Sequence, residues 1–160
     1  ESPHTLLGEL NQRLIALFPA GEMMCTACCF DLLVDAAGAT LQYSNAAHPP
    51  LLCFGDARPR EIYRDGAFLG LESRTAWPEP HVLRLNAGDL LLAYSDGLSE
   101  QRSASGTSFE ERLRDARFDR GSAAAGVEAL MRDFDAFRGG APAEDDVTVV
   151  ALRVLGVLGA

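Results

Sequence analysis

At 160 residues, 48% apolar and 23% charged, the chain is long enough for one domain with its own core and too apolar for a disordered one. Its formal net charge of −9 argues against a duplex nucleic-acid binder, which needs a basic face to neutralise phosphates. No run approaches the roughly 18 to 20 apolar residues of a membrane span, and the apolar tail at 154–160 is broken by Gly156 and Gly159.

The chain opens Glu1-Ser2-Pro3, without a basic region or an apolar signal core, so nothing directs secretion and the cytoplasm is the expected compartment. The missing initiator Met suggests a piece excised from something longer. Leu6, Leu7, Leu10, Leu14, Ile15, Leu17 and Phe18 have helical spacing, with Ser2 as N-cap, Pro3 in the first turn and Pro19-Ala20-Gly21 as the stop. From Met23 the pattern turns to strand. Residues 24–34 and 39–46 flank a turn at 35–38 and read as a long hairpin. Short strands are expected at 51–54, 61–63, 68–71 and 81–85, and a turn at 86–89 leads into a further strand over 89–94.

Two helices are expected next, near 109–114 and at 123–137, the second with Val127, Leu130, Met131, Phe134 and Phe137 on one face. Arg112, Arg114, Arg117 and Arg120 cluster, but Glu110, Glu111, Asp115 and Asp119 interleave with them, as on a solvated helix face. A mobile Gly-rich loop at 139–143 precedes a β-branched final strand over 147–152. The order of one helix, many antiparallel strands, helices and a strand predicts an α+β layered fold in a single domain over 1–160.

Two acidic motifs carry the chemistry: YSDGLSE at 94–100, after an apolar run, and EDDVTVV at 144–150, before one. If the two strands are neighbours, Asp96 and Asp145 meet at one rim. Carboxylates crowded at low dielectric repel unless a cation neutralises them, and oxygen-only ligands favour Mg²⁺ or Mn²⁺. The plainer reading makes Asp96-Gly97 a turn and Asp145-Asp146 a cap before a strand. Cys25, Cys28 and Cys29 form one CxxC with an extra Cys, and Cys53 lies apart. Without a second pair or a nearby His pair they read as buried, reduced thiols rather than a zinc site.

The ordered motifs NAAHPP at 45–50, FLGL at 68–71, LNAGDLLLAYSDGLSE at 85–100, SFEERL at 108–113 and EDDVTVVALRV at 144–154 extend the pattern across nearly the whole chain. Together they resemble the metal-dependent, type-2C-like (PPM) protein serine/threonine phosphatases, and more narrowly their bacterial sporulation stage II E / RsbU branch. The opening helix with Leu10-Asn11, followed by MMCTACCFDLLVD, is similar to the segment that precedes NAGHPP in that branch.

The resemblance implies a type-2C phosphatase-like β-sandwich of antiparallel strands flanked by helices, with a two-metal centre at one end. There Mn²⁺ or Mg²⁺ activates a water that attacks phosphoserine or phosphothreonine in line, without a phosphoenzyme. Asp96 and Asp145 match the family's catalytic metal ligands. Asp146 matches a position that orients the site or touches metal-bound water, and Gly97 one where backbone passes close by. Asn45 lies in the NAAHPP motif. His48, at a strand end before two prolines and without a base or metal partner in view, reads as a structural hydrogen-bonding residue near the site. Ala47 and Glu110 stand where the family usually has Gly.

The family's upstream GD(Y/F)(Y/F)D and GD(V/I)SGHG motifs, which complete its metal pair, have no match in the chain, so its N-terminal strands are expected to be absent. A sandwich without them exposes a sticky edge. Either the sequence omits part of the natural protein, or the chain assembles with a partner or with itself as a homodimer. The implied substrate is a phosphorylated, STAS-type anti-sigma-factor antagonist in a stress or sporulation circuit, with an upstream receiver or sensor domain. A second reading is a phosphatase-fold binding module without turnover. A serine hydrolase is the third and weakest: there is no GxSxG motif, and the base would have to be His4, His48 or His81.

Overall fold

A computed structural model describes residues 2–55, 59–63, 65–73, 77–117 and 121–155. In chain order the elements are α1 (Pro3–Leu17), β1 (Ala27–Asp35), β2 (Gly38–Ala46), β3 (Leu51–Phe54), β4 (Arg60–Ile62), β5 (His81–Asn86), β6 (Leu90–Tyr94), α2 (Asp96–Ser99), α3 (Phe109–Asp115), α4 (Ala123–Arg138) and β7 (Val149–Arg153). This is the α+β arrangement that the order of patterns predicted. The residues divide into two compact units, one of Glu1–His48 and Tyr63–Ala87, the other of Pro49–Ile62 and Gly88–Leu155.

In the first unit β2 is the centre of a three-stranded antiparallel sheet of order β1-β2-β5. The β1–β2 hairpin runs in unbroken register from Ala27↔Ala46 to Asp35↔Gly38. Its turn is closed by the Asp35 carboxylate, which accepts the Ala37 N–H at 2.9 Å and is gripped by Arg84 from β5. Helix α1 starts with Pro at its first turn, as expected, but the wide apolar stripe does not all go inward. Leu7 is fully buried, whereas Leu10 and Leu17 are 41% and 76% exposed and Asn11 takes an inner position at 0%. Asn11 donates to the Glu72 carbonyl at 3.0 Å and accepts the Gly70 N–H at 2.8 Å. A loop without ladder partners needs such a side chain to satisfy its backbone.

The strand expected at 68–71 is instead a single bridge between Leu69 and Cys25. Gly70 ends it, with φ +83° and the Met23 carbonyl 2.0 Å from where a Cβ would sit.

The second unit is built on an antiparallel sheet of order β4-β3-β6-β7. Central strands β3 and β6 are buried along almost their whole length, which explains their continuous apolar runs. Leu130 and Phe134 of α4 pack with Phe109 and Leu113 of α3 onto Leu52, Phe54, Leu90 and Leu92. Phe109 meets Phe134 and Phe137 edge-on, at centroid distances of 5.2 and 5.1 Å. Helix α4 is capped at both ends, by the Ser122 hydroxyl accepting the Ala125 N–H and by left-handed Gly139. In the loop that follows, Arg138 donates to the Ala141 carbonyl.

Of the interleaved charges, Arg112 pairs with Asp133 and Arg114 with Glu61 and Glu110, all well exposed. Asp119 and Arg120 lie outside the described residues. Among the described residues no helix is long and apolar enough to cross a membrane. The cysteines are all free, but only Cys53 is buried; Cys28 and Cys29 are half-buried and Cys25 is exposed, against the expectation of a buried set. Burial pushes the Cys28, Cys29 and Cys53 thiols up, which favours the thiol over the nucleophilic thiolate.

Candidate functional site

Antiparallel pairing of β6 with β7, from Leu90↔Arg153 to Tyr94↔Val149, puts the end of one strand beside the start of the other. Asp96 follows β6 and Asp145 precedes β7, so the two acidic motifs share one rim of the sheet. The final strand was expected to begin at Val147 and begins at Val149. Beyond Val149 the ladder continues in altered form. Ser95 donates its N–H to the Thr148 carbonyl at 3.0 Å, but the Thr148 N–H goes to the Ser95 hydroxyl at 2.9 Å rather than to a backbone carbonyl. The same hydroxyl donates to the Asp146 carbonyl at 3.0 Å. One side chain thereby ends the strand and bends residues 145–148 over the start of α2.

Gly97 lets that bend close. A Cβ there would lie 2.4 Å from the Asp146 carbonyl oxygen and 3.2 Å from the Asp145 carbonyl carbon. The Asp96 carboxylate accepts the Gly97 N–H at 3.0 Å, and the Asp145 carboxylate accepts the Asp146 N–H at 2.7 Å. Both carboxylates are exposed to solvent, as is Asp146.

On the far side of α2, Gln101 is 2% exposed. Its Oε1 accepts the Glu144 N–H at 3.1 Å, while Nε2 donates to the Glu144 carboxylate and to the Arg102 carbonyl, each at 3.2 Å. Sequence reading passed over both Ser95 and Gln101. Ser95 was detectable as a hydroxyl beside the Asp-Gly pair; nothing local marks Gln101, whose partner lies 43 residues away.

A cavity of about 530 Å³ opens beside Asp96, walled by Pro49, Tyr94, Ser99, Arg102, Ser108 and Glu144 among others. Arg102 is the one cation in its described lining and is anchored to the Gly106 carbonyl at 2.9 Å. Burial pushes the Tyr94 phenol well up, with Glu61 and Glu110 adding to the effect, so it stays protonated.

Asn45 and His48 belong to the first unit. The Asn45 side chain accepts the His48 N–H and donates to the His48 carbonyl, both at 2.9 Å, and the His48 ring is hydrogen-bonded to the Thr26 hydroxyl at 3.1 Å. The Asn45 carbonyl accepts the Trp77 indole N–H at 3.0 Å. Within this clasp Ala47 adopts φ 51°, the left-handed region.

The donor set at the rim fits a hard cation in kind. Asp96 and Asp145 offer oxygen ligands only, and a small divalent ion that keeps several waters is held by one or two carboxylates. In number the set is partial: among the described residues no group of three or more His, Cys, Asp or Glu side chains converges as a metal cage.

A family model, stage II sporulation protein E (SpoIIE), matches residues 1–155. The chain is similar in structure to the phosphatase domain of the cell fate determinant SpoIIE from Bacillus subtilis, with 19% identity and a TM-score of 0.60 over 84% of this chain and 59% of that one. It is similar to the RsbU and RsbW domains of Rv1364c from Mycobacterium tuberculosis, with 26% identity and a TM-score of 0.65 over 90% and 40%. It is similar, too, to the SiaA-PP2C domain of Pseudomonas aeruginosa, with 18% identity and a TM-score of 0.70 over 95% and 61%. In each case the chain spans less than two thirds of the relative's length. No curated protein matches it in sequence.

Proposed function

The chain belongs to the stage II sporulation protein E family, and from that premise we propose that it is part of a metal-dependent protein phosphatase acting on phosphoserine or phosphothreonine of a regulatory protein. The observation that carries the reading is the junction of Asp96 with Asp145, held together by Ser95 and by the backbone contact at Gly97. These two carboxylates would hold Mn²⁺ or Mg²⁺. When bound, the cation supplies charge neutralisation for a phosphoryl group and a lowered pKa for water.

The chain's own residues do the remainder. The cavity beside Asp96 has room for a phosphoseryl side chain, and Arg102 faces into it with a positive charge for the phosphate oxygens. Asp96, Glu100, Glu110 and Glu144 also line the cavity, so a cation on the acidic pair would have to offset their charge before a phosphate dianion enters. Asp146 gives its backbone carbonyl to Ser95, and its side chain, exposed next to Asp145 in the chain, would orient water on the bound cation.

We take 1–160 as a single partial domain whose remaining ligands come from other sequence or from a second copy. The substrate class we favour is a STAS-type anti-sigma-factor antagonist, in a cytoplasmic circuit with a receiver or sensor domain upstream. The relative that carries RsbU and RsbW domains in one chain supports this assignment. A second reading, a phosphatase-fold binding module without turnover, is favoured by one observation: among the described residues no group of three or more His, Cys, Asp or Glu side chains converges to hold an ion.

Phosphate release from a phosphoserine protein, measured with and without Mn²⁺ for this chain and for Asp96→Asn, separates the two. Manganese-dependent release lost in the variant supports the phosphatase. Binding of the phosphoprotein with no release from either form supports the module.

A further inference from the structure

Gln101 occupies a position that an apolar residue would fill more cheaply. It is 2% exposed, in contact with the rim yet outside the strand ladder, and burying a carboxamide is unfavourable unless both of its ends are paired. Here both ends engage one residue. Oε1 accepts the Glu144 N–H at 3.1 Å and Nε2 donates to the Glu144 carboxylate at 3.2 Å, a two-bond clasp that fixes the main chain and the side chain of Glu144 together. The next residue is Asp145, one peptide unit and so about 3.8 Å along the chain. On the other flank, Ser95 holds the Asp146 carbonyl and the Thr148 N–H. Residues 95 and 101 bracket the helical turn of Asp96, and each grips one side of the Asp145 segment.

We propose that Gln101 is a positioning residue for the acidic pair: it locks Glu144 to the end of the Asp96 turn and so presents Asp145 to the cation in a preset place. This rests on the reading of Asp96 and Asp145 as metal ligands. The two anchors differ in kind. Ser95 extends a strand pairing that β6 and β7 already specify, whereas the Gln101 clasp ties down a residue that no strand reaches. Preset carboxylates bind more tightly than mobile ones because no ordering entropy is lost when the ion arrives.

The test uses the whole chain and four variants: Gln101→Ala, Gln101→Glu, Glu144→Gln and the double exchange Gln101→Glu with Glu144→Gln. Amide exchange is read residue by residue by NMR, and Mn²⁺ binding by the EPR signal of the free ion. Gln101→Glu sets two carboxylates against each other. We expect about tenfold faster exchange at Glu144 and Asp145 and about tenfold weaker Mn²⁺ binding, the factor one lost hydrogen bond is worth. Leu91, Leu92, Leu130 and Phe134 should exchange as in the parent.

In the double exchange the new carboxylate again accepts the backbone N–H of residue 144 and a side-chain amide, but it no longer donates to the Arg102 carbonyl. Slow exchange and Mn²⁺ affinity should therefore return in part, above the level of Gln101→Glu alone, a rescue that mere space-filling would not produce. Unchanged exchange at 144 and 145 in both Gln101 variants would overturn the proposal, as would a loss of protection spread over β6 and α4 that the exchange fails to restore. If the parent binds Mn²⁺ and Gln101→Glu binds it equally well, the positioning role falls while the phosphatase reading stands. If the parent binds no Mn²⁺, the reading of Asp96 and Asp145 as ligands in this chain falls, and the positioning role falls with it.

Discussion

Gly97 and Asp146 are in backbone contact: the carbonyl oxygen of Asp146 stands 2.4 Å from the point a Cβ on residue 97 would occupy. That oxygen is held by the Ser95 hydroxyl, so a methyl group cannot be accommodated by a side-chain rotation and must push the 145–146 segment away. Gly97→Ala should lower stability by roughly 1–3 kcal/mol, as overpacking does, and separate the two carboxylates. Urea unfolding together with Mn²⁺ titration checks both effects. A variant with unchanged Mn²⁺ affinity would show that the contact does not set the site.

Asp145→Asn keeps the shape and the bond to the Asp146 N–H while removing the charge. Because Asp145 is exposed, folding stability should change by no more than about 0.5 kcal/mol. Mn²⁺ affinity should fall by roughly tenfold or more, since affinity for hard cations follows the number of charged ligands. Thermal unfolding and equilibrium dialysis against Mn²⁺ separate the two quantities.

Ala47 is the one non-glycine residue with positive φ among those described. A left-handed conformation costs an L-residue about 1–2 kcal/mol, and glycine gives back part of that through its larger unfolded-state entropy. Ala47→Gly should therefore stabilise the chain by roughly 0.5–1 kcal/mol, measured as a rise in denaturation midpoint at constant slope. Destabilisation would mean that the Asn45–His48 clasp holds residue 47 without strain.

The Asp35 carboxyl is held down at about 2 from 3.8, first by its hydrogen bonds from Arg84 and then by the Ala37 N–H. A lowered folded value means that the contribution is present above the unfolded value and disappears as the pH falls from 3.8 toward about 2. The difference in melting temperature between the parent and Asp35→Asn should thus be steady at neutral pH and close over that acid window. With both partners open to solvent the difference is small and shrinks further in high salt.

Patterns that repeat along the chain were legible without coordinates. The α+β order, the β1–β2 hairpin, β3, β6 and the two long helices follow from apolar periodicity and turn residues, because burial acts on each segment through its own spacing. The adjacency of Asp96 and Asp145 could be stated only as a condition, that their strands be neighbours; the pairing of β6 with β7 met it.

What the tertiary structure decided are the places where distant polar groups satisfy one another. Asn11 takes an inner position on α1 because the backbone of a loop 59 residues away donates to its side-chain oxygen. The strand read into 68–71 is lost to a glycine packed on the Met23 carbonyl, and the start of β7 moves to Val149 because the Ser95 hydroxyl takes the Thr148 N–H. Gln101 and Glu144 find each other across 43 residues. Apolar burial is nondirectional and leaves a periodic trace in the sequence, whereas a hydrogen bond depends on the position and direction of two atoms, and those exist only once the chain has folded.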